Sequence, residues 1–172
     1  MEPLIRLVYA SYTQSKVKDS GIDPVIGSIL SQSRRNNSRD EIGGVLFHGD
    51  GFFFQCLEGR RDKVDATFER IKKDDRHKAA RIIRYQDIND RMFEEWSMKF
   101  VPAQEDVLAF LKKHGHKQFR PYQFSDRMID ELLVFLRMSQ MQGAEQALAA
   151  MPTPPASKSR GLFGRIASSM GL

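Results

Sequence analysis

The sequence predicts a fold of the α+β class, and three observations point to it. Short segments rich in β-branched and aromatic residues alternate with segments whose apolar residues recur at helical spacing, in the order βαββαββ. Residues 43–47 and 52–57 are apolar at consecutive positions, so both faces of their sheet should be covered. Further helical patterns follow Pro102. A ferredoxin-like sandwich, with two helices on one face of an antiparallel sheet and additional C-terminal helices, is the simplest arrangement for this order.

The first part of the chain provides a strand, a helix and a hairpin. Residues 5–9 are β-branched and aromatic and predict the first strand. An Asp-Pro pair opens a helix over residues 23–37, which ends at two asparagines. Residues 43–47 and 52–57 are predicted to pair as antiparallel strands, because Asp50-Gly51 between them can supply the positive φ angles of a tight hairpin.

The next part predicts a second helix and two more strands. Asp62 is suited to cap a helix that ends near Asp75 and carries apolar residues at helical spacing, namely Val64, Phe68 and Ile71. Residues 80–85 and 97–101 predict two strands that are separated by a loop and a short turn.

The C-terminal part predicts two helices and a tail. Residues 107–113 and 128–138 have apolar residues at helical spacing, and these helices are expected to cover the second face of the sheet. We therefore expect a globular domain over residues 1–102, a helical cap or output segment over 103–141 and a flexible Ala/Pro/Ser-rich tail over 142–172. Contact of this tail with a membrane is not expected.

The composition excludes several classes of site. The 172 residues carry a formal net charge of +5 that is not focused on one predicted element, so we expect no direct binding of nucleic acid. Cys56 is the only cysteine, which rules out an intramolecular disulfide and a cysteine-based zinc site within one chain. The four histidines lack the spacing of metal ligands, so no metal is expected. No segment has the roughly 18 to 20 apolar residues of a membrane span, and no signal-peptide pattern is seen, so we expect a cytoplasmic protein.

Two polar residues stand where apolar ones would pack better. Tyr9 ends the first strand, and Gln55 interrupts an otherwise apolar strand. The period of two places Gln55 on the same face as Phe53 and Leu57 and places Cys56 on the opposite face. A buried Gln amide without partners costs about 1 to 3 kcal/mol, so a polar group should meet it.

Six segments around these residues carry a specific resemblance. They are Leu4–Ser11, Ser33–Asn37, Ile42–Phe47, Phe53–Gly59, Asp74–His77 and Arg91–Met98. In content and in spacing they resemble the BLUF family of flavin-binding blue-light receptors over about residues 3–102.

The resemblance implies a flavin, usually FAD, with FMN or riboflavin as possible replacements. It places Asn37 at the pyrimidine edge, Asn36 beside the ring and Arg70 near the second pyrimidine carbonyl. Three further residues would serve the ribityl and phosphate end, namely Asp74, Arg76 and His77.

The resemblance also implies a set of photoactive residues. Gln55 would lie between Tyr9 and the N5/O4 edge of the flavin. Ser11 belongs to the same matched segment as Tyr9, Leu4–Ser11. Trp96 and Met98 match the pair whose relative burial is thought to change on illumination.

An amide switch follows from these roles. Illumination would draw an electron and then a proton from Tyr9 through Gln55, because a phenol is an oxidisable donor of both. When both have returned, Gln55 is left rotated or tautomerised with a changed bond to flavin O4. Cys56 is expected to be a small buried filler and to form no flavin adduct.

Other readings remain open at the level of single residues. Tyr9 alone fits a strand-end aromatic, Gln55 a satisfied structural amide and Asn36-Asn37 a helix C-cap. Arg76-His77 alone fits a solvated turn, and Trp96 and Met98 alone fit a pair of core residues.

Two other classes share features of this sequence. The element order with Gly51–Leu57 superficially resembles an RNA-recognition strand, although Asp50 stands where a basic residue is required and Phe53 where a small one is. An acylphosphatase-like enzyme would need a phosphate-binding loop after the first strand, which the sequence lacks.

No enzymatic output is expected. The length beyond residue 102 is too short for a cyclase or phosphodiesterase domain, so the sensor should act through a separate signalling protein. More aromatic residues than one sheet face needs follow Pro102. They are Phe110, Phe119, Phe124 and Phe135. Two expectations stay open: some of them form a homo-oligomer or partner surface, or all of them belong to an intramolecular core.

Overall fold

The computed structural model describes residues 3–13, 24–93 and 104–149. Four strands, four α-helices and one 3₁₀ turn make up these residues. In chain order they are β1 (Leu4–Thr13), α1 (Pro24–Arg39), β2 (Gly43–Gly49), β3 (Phe52–Arg60), α2 (Arg61–Lys72), β4 (His77–Ile88), α3 (Gln104–Lys113), the turn Pro121–Gln123 and α4 (Asp126–Ala149).

The strands form an antiparallel sheet in the order β2-β3-β1-β4. Helix α1 joins β1 to β2, and β3 lies between these two strands in the sheet, which is the split βαβ arrangement of a ferredoxin-like fold. The predicted fold class is therefore confirmed. The predicted strand at 97–101 lies outside the described residues.

The hairpin between β2 and β3 forms as its turn residues predict. Gly49 pairs with Phe52 across the ladder, and Asp50 and Gly51 between them have φ angles of 48° and 78°. Two successive positive φ angles twist the turn in the sense that matches the flanking strands.

Both faces of the sheet are covered, as the apolar strands predict. The first face, which we define by the odd-numbered residues of β1 and β3, packs against α1 and α2. The second face, defined by the even-numbered residues, packs against α3, α4 and the segment between them. Phe119 and Phe124 belong to this second core, while Phe110 and Phe135 stack 5.3 Å apart at its margin. Phe119 and Phe124 therefore follow the intramolecular alternative that the sequence left open.

The first two helices differ from prediction at their ends. Helix α1 does not end at Asn36 and Asn37 but continues to Arg39. The residue that takes the left-handed conformation after the helix is Glu41, with a φ of 53°. The predicted cap of α2 is wrong: the N-cap position is Arg60, without a side-chain cap. Asp62 lies in the first turn and accepts hydrogen bonds from the Arg60 guanidinium at 3.2 and 3.1 Å instead.

The last strand and the last helix are longer than predicted. Strand β4 spans His77–Ile88. Helix α4 continues to Ala149, beyond the expected start of the tail at residue 142. Its last residues are mostly Ala, Glu, Gln and Leu, which are good helix formers, so alanine there extends a helix.

The described part of the chain holds no helix with the length and apolar character needed to cross a bilayer. The same residues hold no group of three or more His, Cys, Asp or Glu side chains placed to bind a metal ion.

Candidate functional site

An open cleft with an empty volume of about 550 Å³ lies between α1, α2 and the first face of the sheet. Seven of its lining residues are the predicted cofactor-binding residues Asn36, Asn37, Gln55, Arg70, Asp74, Arg76 and His77. They come from α1, β3, α2, the turn between α2 and β4, and the start of β4. The fold thus brings together side chains that lie up to about 40 positions apart in the sequence, and their roles toward a ligand stay predictions.

The floor of the cleft carries a phenol–amide pair. Tyr9 of β1 lies directly opposite Gln55 of β3 in the antiparallel ladder, and its hydroxyl donates a hydrogen bond to Gln55 Oε1. Both side chains are buried. Burial, followed by the nearby charge of Asp74, raises the pKa of the Tyr9 hydroxyl. Tyr9 is therefore a neutral phenol that keeps its proton at physiological pH.

The other end of the Gln55 amide is unsatisfied. Its Nε2 atom is buried and has no hydrogen-bond partner among the described residues. A buried amide donor without a partner costs about 1 to 3 kcal/mol. Because Gln55 also lines the cleft, an acceptor atom of a bound ligand can satisfy this donor.

Helix α1 contributes two neighbouring amides. Asn37 is buried and Asn36 is half-buried, and both line the cleft. Asparagine amides offer donors and acceptors in one plane. They match the alternating N–H and C=O groups along the pyrimidine edge of an isoalloxazine.

Arg70 lies at the mouth of the cleft between the two helices. Its guanidinium donates to Thr67 Oγ1 at 2.8 Å and to Asp40 Oδ2 at 3.0 Å. Arg39 and Arg70 bind the same carboxylate, and hydrogen bonding, chiefly from Arg39, lowers the pKa of Asp40 to about 2. Asp40 is therefore ionised and restrains Arg70.

Arg76 closes one end of the cleft by joining β4 to α1. Its guanidinium pairs with Asp74 and donates to Ser28 Oγ at 2.7 Å and to Gln32 Oε1 at 2.6 Å. The hydrogen bond from Arg76 lowers the pKa of Asp74 and raises that of Arg76. A guanidinium at this place offers charge and planar donors to an anionic group.

His77 connects the cleft to the sheet. Its ring lies 4.8 Å from that of Phe53 and 6.1 Å from that of Tyr9, measured between centroids. Burial lowers the pKa of His77 to about 4. Its Nδ1 lies 2.9 Å from Ser11 Oγ, so Ser11 touches the site through His77.

The remaining predicted photoactive residues are not placed here. Trp96 and Met98 lie outside the described residues. Cys56 is buried in the core of the second face, as its position in the strand predicts, and burial raises the pKa of its thiol.

Some residues of the site were missed by the sequence analysis. Ser28 and Gln32 precede Asn36 at intervals of four residues, so they form a polar stripe along one face of α1. That spacing is a signal that the sequence contains. Asp40 acts through Arg70, and Thr67 both bonds Arg70 and lines the cleft, but neither leaves a comparable signal in the sequence.

Comparisons with known proteins agree with this geometry. The family model described as BLUF, sensors of blue-light using FAD, matches residues 4–99. The photoactivated adenylate cyclase subunit beta of Euglena gracilis is 32% identical over 85 residues, which cover 49% of this chain and 10% of that protein. The subunit beta-like protein ST- of the same organism is 33% identical over 97 residues. The chain spans about a tenth of the length of these relatives.

Solved structures share the fold over most of the chain. The photo-activated state of BlsA has a TM-score of 0.71 at 32% identity, covering 78% of this chain and 95% of that one. The dark state of BlrB, a BLUF protein, has a TM-score of 0.61 at 27% identity, covering 82% and 98%. Neither the RNA-binding nor the acylphosphatase-like alternative finds support in these comparisons.

Proposed function

Because this chain belongs to the BLUF family of sensors of blue light using FAD, we propose that it holds an oxidised flavin noncovalently in the cleft. We further propose that Tyr9 and Gln55 convert light into a signal for a separate protein in the cytoplasm. The observation that carries the proposal is the unsatisfied Nε2 of Gln55, whose Oε1 already accepts the Tyr9 hydroxyl.

The cleft residues fit the two ends of a flavin. Asn36 and Asn37 are suited to hold the pyrimidine edge, and Arg70 approaches it from α2. Asp74, Arg76 and His77 also line the cleft and would serve the ribityl and phosphate end, where Arg76 can offer a positive charge to a phosphate. These places favour FAD, and FMN or riboflavin would present the same ring and ribityl groups.

Tyr9 and Gln55 perform the switch in this proposal. The bound flavin supplies the absorption of blue light and, once excited, the oxidising power. Tyr9 gives up an electron and a proton, and Gln55 would relay the proton, because its Oε1 accepts the Tyr9 hydroxyl and its unsatisfied Nε2 is available to a flavin held in the cleft. Both return to Tyr9, so no net oxidation occurs. Gln55 keeps a rotated or tautomerised amide, and its changed hydrogen bond to the ring shifts the absorption.

The output leaves through the helices on the second face. Helices α3 and α4 cover that face, and Leu108, Val134 and Met138 on them are exposed apolar side chains. We propose that they serve a homo-oligomer or the separate partner. The segment with Trp96 and Met98 connects the sheet to these helices along the chain. We propose no enzymatic activity for the chain itself.

The first experiment is an absorption spectrum of the purified protein before and after blue light. We expect a yellow protein with one flavin per chain, which denaturation releases completely. Blue light should cause a small, reversible red shift, because only hydrogen bonds change. A colourless protein that fails to take up FAD, FMN or riboflavin would exclude the proposal.

A further inference from the structure

The ladder between β1 and β4 is interrupted beside the cleft. Its register shifts between Val8 and Tyr9 and again between Ala10 and Tyr12. Opposite the second shift, Ala79 has a φ of 51°. A residue with a Cβ rarely adopts this left-handed conformation, which persists only where neighbouring groups hold it.

One side of this bulge touches the cleft. Ser11 lies within the second register shift and bonds His77 Nδ1 at 2.9 Å. His77 lines the cleft and packs on Phe53, which precedes Gln55 by two residues on the same face of β3, with ring centroids 4.8 Å apart. A displacement in the cleft therefore has a direct contact through which it reaches the bulge.

The other side of the bulge touches the C-terminal segment. Tyr122 belongs to the turn Pro121–Gln123 between α3 and α4. Its hydroxyl lies 2.8 Å from the carbonyl oxygen of Ala79 and 3.0 Å from that of Ala10. These acceptors belong to β4 and β1, and one hydroxyl has one proton. The proton is shared between two strands and responds to their relative displacement.

The ring of Tyr122 is held in place by its surroundings. The Arg81 guanidinium lies 4.6 Å from the ring centroid, and the rings of Tyr12 and Phe52 lie 5.6 and 5.8 Å away. The ring also packs at the margin of the second core. Burial raises the pKa of the Tyr122 hydroxyl, so the proton is present at neutral pH.

We propose that Tyr122 is a positioning residue that couples the cleft to α3 and α4 through the bulge between β1 and β4. A light-induced shift at His77 moves β1 against β4, and the Tyr122 hydroxyl redistributes its bond between Ala10 and Ala79. The turn before α4 then moves with it. This inference rests on the proposed function, and it provides an exit for the signal separate from the segment 94–103.

The test uses the full chain loaded with FAD and two matched variants. Tyr122→Phe removes the shared hydroxyl and keeps the ring, whereas Tyr12→Phe removes a hydroxyl from the same aromatic cluster. The absorption spectrum of the flavin is measured first, in the dark and after blue light. Amide hydrogen exchange over residues 104–139 is then measured in both states.

We expect both variants to bind flavin and to show the normal red shift. Tyr122→Phe should reduce the light-minus-dark difference in exchange over α4 by about fivefold or more, the lower end of the fold-changes typical of coupling between sites. Tyr12→Phe should leave that difference intact.

Two results with the variants would overturn the inference. One is an undiminished exchange difference in Tyr122→Phe, even where exchange is raised equally in dark and light, which is the signature of a merely structural role. The other is an equal loss of the difference in Tyr12→Phe. Absence of a red shift in the unmodified chain would instead overturn the proposed function. A normal red shift without any exchange difference over α4 would overturn only the coupling.

Discussion

The two faces of the sheet differ in what the same strands present to them. On the first face β1 and β3 carry Tyr9, Ser11 and Gln55, and on the second face they carry Val8, Phe54 and Cys56. Because side chains alternate along a strand, neighbouring residues serve two different purposes. The polar residues collect on the face that has an opening, which is the arrangement of a ligand site placed on an apolar foundation.

The second face also contains a buried carboxylate, that of Glu58, and its charge is satisfied internally. Glu58 is fully buried and accepts from Arg6 Nε at 2.5 Å and from the Phe93 backbone N–H at 2.8 Å. Both of its oxygens are used. Gln55 on the first face has one end paired and the other without a partner among the described residues. A complete network indicates a structural role, and an incomplete one at a cleft indicates a missing ligand.

The largest expected effect tests the first face. Tyr9→Phe and Gln55→Leu should each abolish the light-induced red shift while flavin stays bound, because they remove the phenolic donor and the relay. Difference absorption spectroscopy of the flavin-loaded variants measures this.

The matched control comes from the neighbouring residue on the second face. Cys56→Ala should keep the full red shift, because its thiol lies in the opposite core. A normal photocycle in Tyr9→Phe, or a lost one in Cys56→Ala, would contradict the division of roles between the faces.

A second prediction tests the apolar core on the second face of the sheet. Leu132 is fully buried in the second core, so Leu132→Ala should lower the free energy of unfolding by about 2 to 5 kcal/mol. Chemical denaturation followed by circular dichroism measures the loss. The red shift of the folded variant should persist, because Leu132 is on the far side of the sheet.

Val134→Ala is the control on the same helix. Val134 is 47% exposed, so the change should stay within about 0.5 kcal/mol. Equal losses for Leu132→Ala and Val134→Ala would mean that α4 is not packed as described.

Local patterns predicted much of the fold and part of the site. The Asp50-Gly51 turn, the covered faces of the sheet and the opposite orientations of Gln55 and Cys56 all follow from residue type and a period of two. The element order also restricts the sheet to few topologies. These features depend on residues close in sequence, so the sequence contains their signals.

Long-range contacts could not be predicted in the same way. Tyr122 bonds a carbonyl 112 positions away, and Asp40 reaches Arg70 across two helices. The cap of α2 failed for a related reason: Asp62 is a good N-cap residue type, but it lies in the first turn and pairs with Arg60. Residue type gives the capacity for a contact, and the tertiary fold decides which partner is within reach.

The last prediction concerns the dependence of stability on pH. His77 belongs to the first face, and burial lowers its pKa from the ordinary 6.5 to about 4. The unfolded chain therefore binds more protons than the folded one between these values. The stabilisation from a neutral His77 is present above pH 6.5 and is lost as the pH falls toward 4, with a total of at most about 3 kcal/mol.

Asp74 and Arg76 act on His77 in opposite directions, and the carboxyl of Asp74 has its own lowered pKa. The contribution of ionised Asp74 to the free energy of unfolding is lost only as the pH falls below the ordinary aspartate pKa of 3.8. That loss lies outside the pH range in which His77 titrates. His77→Gln should flatten the dependence of the unfolding free energy on pH between 4 and 6.5, because it retains an amide for Ser11 but cannot titrate. Denaturation at a series of pH values measures the slope. An unchanged slope in His77→Gln would mean that a group other than His77 causes the dependence of stability on pH between 4 and 6.5.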